Sequence, residues 1–224
     1  MNVSAAKSAL KGALKPRLRG VTHLYAFFLA IVAAIVLVAT APSGTATVGA
    51  TVYAITLVGM FGVSALYHRG NWSPPVAARL LQLDHTAIFL LIAGTYTPIA
   101  LLAIDGAAEA VLLPLVWVIA AVGILFEWIP IRAPRGYVTA VYLALGWIGA
   151  LAMVSLWDNA GAECVLLLAG GGVCYTVGAI VHAAHRPDPW PHVFGYHEIF
   201  HVFVIVAAAM HYSAIAFFVL PLGE

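Results

Sequence analysis

GVTHLYAFFLAIVAAIVLVATAPSGTATVGATVYAITLVGMFGVSALYH, Gly20 to His68, contains no Lys, Arg, Asp or Glu. A charge-free run of this length accommodates two membrane spans of about 20 residues each. Thr40 to Thr47, with Pro42, Ser43 and Gly44, supplies the turn between them. The rest of the chain has the same character: 63% of residues are hydrophobic, only 8% are charged, and the mean hydropathy is +1.01. Such a composition does not make a normally wetted soluble surface, so the solvent is lipid. Continuous apolar runs satisfy their backbone polar groups in lipid only as helices.

Pro, Gly and charged residues divide the chain into apolar segments near 24–42, 47–68, 84–103, 110–129, 136–156, 162–183 and 197–220. The expected fold is therefore an all-α membrane protein, a seven-transmembrane helix bundle with the N-terminus cytoplasmic and the C-terminus outside. Residues 1–22 form a basic cytoplasmic segment before a single domain, 23–224. A six-span count, merging or dropping the fourth segment with its Pro114 and Glu127, is the competing arrangement. Charge favours seven: Lys7, Lys11, Lys15, Arg17, Arg19, Arg69, Arg79, Arg132, Arg135 and Arg186 then all face the cytoplasm. Asp105, Glu109, Asp158, Glu163 and Glu224 fall on the other side, as the positive-inside rule predicts.

The basic start is not expected to be a signal peptide, because the first apolar run is too long for a signal core. Lys7, Lys11 and Lys15 alongside Ala6, Leu10, Ala13 and Leu14 suit either a short helix on the inner leaflet or a solvated tail. Cys164 and Cys174, ten residues apart, read as packing residues.

Chemistry concentrates at the cytoplasmic boundary. Tyr196 to His201 reads Tyr-His-Glu-Ile-Phe-His, and two imidazoles four residues apart share one helix face. The second span ends on His68, with Ser64 one turn above it, and the third begins with Asp84 and His85 at the same depth. Ionisable groups in a span face a cavity, a partner or an ion. His68, His197 and His201 with an open fourth position make a catalytic-type zinc shell. Asp84 serves as fourth ligand or, preferably, orients a water on the metal. Ser64 bonds back to its own helix or contacts a water or substrate oxygen. His85 is left outside the ligand set. His23 and His211 are expected near opposite interfaces, and His182, His185 and His192 in a solvated inner loop.

These motifs, Ser64-x3-His68, Leu83-Asp84-His85, Gly94-Thr95-Tyr96-Thr97-Pro98 and Gly195 to His201, taken in order, resemble the bacterial hemolysin III branch of the progestin and adipoQ receptor family. The resemblance is strongest from Ser64 to Tyr212. It implies a seven-helix domain in a bacterial plasma (inner) membrane, with Zn2+ near the cytoplasmic face. The zinc ligands would be His68, His197 and His201, the water-bonding carboxylate Asp84, and the recurrent serine Ser64. Relatives near the adiponectin receptors look like ceramidases, and the wider superfamily includes alkaline ceramidases.

The leading expectation is metal-dependent hydrolysis of a lipid amide or ester entering from the bilayer, with Asp84 and Ser64 as catalytic groups. Membrane lipids are the expected partners, and no nucleic acid is expected. A zinc-stapled sensor that performs no turnover is the main alternative. Two others carry less: an H-E-x-x-H metalloprotease using Glu198 as base, and a pore, for which no span offers a clear polar stripe. Pro98 and Tyr96 are expected to shape room for a lipid tail. Gly146, Gly149 and Gly170 to Gly172 are read as positions that permit close helix packing or backbone irregularity.

Overall fold

The computed structural model describes residues 15–129 and 136–224. Lys7, Lys11, the apolar strip Ala6 to Leu14, and Arg132 and Arg135, all used in the charge argument, lie outside the described residues. What is described is helical, in this order: α1 (Val21–Ala39), α2 (Gly44–Arg69), α3 (Pro74–Ala103), α4 (Ala107–Trp128), α5 (Tyr137–Trp147), a 3-10 segment (Ile148–Ala152), α6 (Met153–Ala184) and α7 (Tyr196–Ala214), which runs on through a π turn (Ile215–Val219). Among the described residues, six helical stretches are long and apolar enough to cross a membrane.

Local chemistry sets the boundaries. Ser43 caps α2 by accepting the Ala46 N–H at 3.3 Å. Pro74 and Pro75 open α3, where a missing N–H costs nothing. That helix therefore starts ten residues before the expected 84, and Asp84 lies in its third turn rather than at its mouth. The expected segments 136–156 and 162–183 are joined in one 48-residue stretch, Tyr137–Ala184, broken where Gly161 takes a non-helical conformation (φ 84°, ψ 169°).

Packing follows the rules of lipid rather than water. Leu29, Leu151, Val154 and Phe217 are among the large apolar side chains pointing outward. Inside, the contacts rest heavily on alanine: Ala46, Ala50, Ala93, Ala100, Ala207 and Ala214 are fully enclosed. Small residues let backbones approach where no hydrophobic effect separates helix from solvent. Gly49 meets the Pro98 backbone of α3, and Gly171 faces His211 of α7, so a Cβ at either position would clash. The packing role expected for these glycines is borne out at Gly149, Gly170 and Gly171, but not at Gly146, where a Cβ would meet nothing within 4 Å, nor at Gly172, where contact is ordinary.

Contacts sort the loops into two ends. At one, Arg17 and Leu18 donate backbone N–H groups to His192 and Val193, Lys15 reaches the Gly70 carbonyl, and Gln82 reaches that of Glu127. At the other, Asn159 bonds Ala103 and Asp105, and Gly223 packs on Ser43, Ala46 and Leu102. Between them, Pro98 interrupts α3, and the adjacent Tyr96 sends its hydroxyl to the 3-10 segment. It donates to Gly146 O (2.6 Å) or Leu145 O (3.2 Å) and accepts from Gly149 N (2.6 Å). Backbone groups left open where α5 tightens thus find a partner.

Tyr96→Phe removes that partner, and the protein is expected to lose about 1–3 kcal/mol of stability, read as a lower thermal midpoint in detergent with its helical circular dichroism unchanged.

Candidate metal centre

Three helices supply the cluster. His68 comes from the last turn of α2, where Ser64 sits one turn above on the same face. His197 and His201 come from the first two turns of α7, and Asp84 from α3. One ring nitrogen from each of His68, His197 and His201 lies within 4.8 Å of the others. The Nε2 atoms of His68 and His197 are 3.3 Å apart. That is the edge of a tetrahedron with zinc–nitrogen bonds of about 2.0–2.1 Å. Asp84 Oδ2 stands 3.7 Å from His68 Nε2, slightly beyond that edge. Two of the three imidazoles, His68 and His201, are buried, and the His201 Nδ1 has no hydrogen-bond partner among the described residues. Clustered buried imidazoles with an unsatisfied nitrogen fit a divalent ion of borderline softness.

Close approach at this end requires glycine at position 20. Gly20 has φ +73°, and a Cβ there would come within 2.6 Å of the His68 Cβ. The chain thus enters α1 directly against the base of His68, and this brings in a residue that sequence reasoning had placed at an interface. His23 is buried, its Nδ1 2.8 Å from Ser64 Oγ, its ring stacked on His201 with centroids 3.7 Å apart and planes 8° apart. The signal was available: α1 starts at the same end as α7, so its first-turn histidine belongs to the same depth. Ser64, accordingly, is tied to His23 rather than back to its own helix.

Other expectations are corrected here. His211 is half-buried within the bundle, its Nε2 3.0 Å from Leu168 O, rather than interfacial. His182 is half-buried with its ring 5.2 Å from that of His197, whereas His185 and His192 are exposed as expected. His85 lies outside the cluster, 3.0 Å from Glu127 Oε2 on α4.

Glu198 faces elsewhere. Its carboxylate is fully enclosed, Oε1 accepting from Arg19 Nε and Oε2 from the Gly195 N–H at 2.8 Å. It satisfies an orphan donor at the start of α7 and pins the segment before α1 to that helix. With both oxygens engaged it is not placed as the base of an H-E-x-x-H protease. A cavity of about 410 Å3 runs from the cluster into the bundle, past Tyr96, Leu112, Leu156 and Leu168. Asp84, Ser64 and His23 line it, and Glu198 does not.

The haemolysin-III-related family model matches residues 12–212. The chain belongs to that family. Its similarity to "Hemolysin-3" of Bacillus cereus is 34% identity over 204 residues, covering 90% of each chain. The "Hemolysin-3 homolog" of Bacillus subtilis is 30% identical over 202 residues, 88% of this chain and 91% of its own. Over 86 residues, 34% of the chain, it is 40% identical to the "Heptahelical transmembrane protein ADIPOR2" of rice, Oryza sativa subsp. japonica. It is thus a hemolysin III protein on the bacterial side of the progestin and adipoQ receptor family, as its motifs indicated.

Glu198→Gln in this hemolysin III protein is expected to weaken the Arg19 contact and cost about 2 kcal/mol of stability while leaving metal content unchanged. Parallel thermal melts and metal analysis check both; a protease base would instead show unchanged stability and abolished activity.

Proposed function

We propose that this protein is a zinc-dependent hydrolase of a lipid amide or ester, spanning the bacterial plasma membrane seven times with its metal centre at the cytoplasmic face. The observation that carries the reading is the juxtaposition of three convergent imidazoles, an adjacent carboxylate and a largely apolar internal cavity.

His68, His197 and His201 would hold a zinc ion, which would supply Lewis acidity toward a carbonyl and a bound water. The chain's own groups do the rest. Asp84 is the base that takes a proton from the attacking water and returns it to the departing amine or alcohol. With hydrogen on its Nδ1, His23 donates to Ser64 Oγ and frees the hydroxyl hydrogen for the substrate carbonyl oxygen as charge develops there. Tyr96 and the apolar wall receive the acyl chain and exclude water from it.

Seven crossings are supported by length and by parity. Tyr137–Ala184 would extend about 72 Å as one helix, more than twice a hydrocarbon core of about 30 Å. The non-helical Gly161 lies beside Asn159, whose contacts with Ala103 and Asp105 put the turn at the end opposite Arg17. Arg17 and Gly223 lie at opposite ends, which an odd number of crossings requires. The rice relative's printed name is also heptahelical.

Orientation is tested with Cys164 and Cys174 replaced by Ala. An impermeant maleimide added to intact cells is expected to label Thr45→Cys and Leu222→Cys and to spare Ser73→Cys; the opposite pattern inverts the topology. Function is tested on purified protein. Wild type is expected to carry about one zinc per chain and His68→Ala almost none. Asp84→Asn is expected to stay folded and metal-loaded while fatty-acid release from ceramides, acylated amines or phospholipids falls about 10²–10⁴-fold. Zinc-replete wild type that releases no fatty acid from any of them overturns the hydrolase reading.

A further inference from the structure

Beside the metal cluster, on the side away from the long cavity, lies a second pocket of about 380 Å3 lined by Lys15, Arg19, Tyr67, Asn71 and Trp72, among others. Arg19, Tyr67 and His68 line both spaces, so the two adjoin at the cluster. Among the described residues, the outer pocket has donors and no acid. Lys15 Nζ spends one N–H on the Gly70 carbonyl at 3.0 Å, and Arg19 uses its Nε on Glu198. No carboxylate is among the described lining residues, and the Glu198 oxygens are already occupied. The remaining Lys15 and Arg19 hydrogens and the Asn71 amide are therefore available at the pocket.

We infer that this pocket binds a phosphate group, and that an anionic phospholipid headgroup occupies it with the acyl chain extending past His68 into the long cavity. Lys and Arg donors pair strongly with phosphate oxygens. Partial burial, followed by the charges of Arg69 and Arg19, holds the Lys15 ammonium below its usual value, and a bound anion relieves that crowding. The tail placement rests on the proposed lipid reading, but the inference needs no turnover. Occupancy is the readout, so loss of hydrolysis and loss of headgroup binding are separable.

The test is native mass spectrometry on the full chain in detergent, titrated with dioleoyl phosphatidylglycerol, dioleoyl phosphatidylcholine or inorganic phosphate. Phosphatidylglycerol is expected to bind more tightly than phosphatidylcholine. Lys15→Glu is expected to weaken it about fivefold or more, while Lys15→Arg retains it. Arg79→Glu, an exposed α3 position outside the pocket, controls for general attraction to basic residues and is expected to change little. Displacement of the lipid by inorganic phosphate assigns the site to phosphate from either source; selective lipid binding that phosphate does not displace assigns it to the headgroup. Equal binding of the two lipids, or an Arg79→Glu loss as large as that of Lys15→Glu, overturns the inference.

Discussion

Lipid offers no hydrogen bonds, and this constraint governs the whole molecule. Backbone groups must be paired along helices, and polar side chains inside the bundle must find one another. The consequences appear in pairs. Tyr96 closes the backbone where α5 tightens, Thr95 and Thr97 return their hydroxyls to Leu91 and Ala93 one turn earlier, and Trp117 reaches Thr97. Where such groups converge without complete pairing, as at His68, His197 and His201, their nitrogens lie close enough together to hold a metal ion.

Arg19 and Glu198 show how that convergence is held. The segment before α1 is paired by backbone hydrogen bonds to the loop before α7, and the enclosed carboxylate receives both the guanidinium and the first free N–H of α7. An ion pair in this setting is a positioning device more than a source of stability, since desolvation offsets much of its attraction. It holds the segment before α1 against the first turn of α7. Gly20 completes the arrangement by letting the chain pass against His68. The string His197-Glu198-x-x-His201 thus combines two functions in one turn of helix, ligand-type imidazoles on one face and a structural carboxylate on another.

The centre stands between two unlike spaces, an apolar cavity within the bundle and a donor-rich pocket at its rim. The proposed amphiphile would use both: tail inward, polar group at the boundary, and its linkage beside the histidines. Metal chemistry at the linkage and headgroup recognition at the rim are separate proposals that share Arg19, Tyr67 and His68 as a common wall.

Local chemistry and pattern alone determined that the chain is helical and lipid-embedded, because 49 residues without charge admit no other solution. They also put His68, His197 and His201 at one depth, and the structure brings these nitrogens together. Tertiary structure decided the rest. Pro74 started α3 early, His23 joined the cluster because Gly20 turns tightly against α2, and Glu198 turned away because Arg19 and Gly195 claim its oxygens. A sequence pattern gives depth and helix face. Which neighbour fills a particular hydrogen bond depends on side chains arriving from helices far apart along the chain, and only their packing in three dimensions chooses among them.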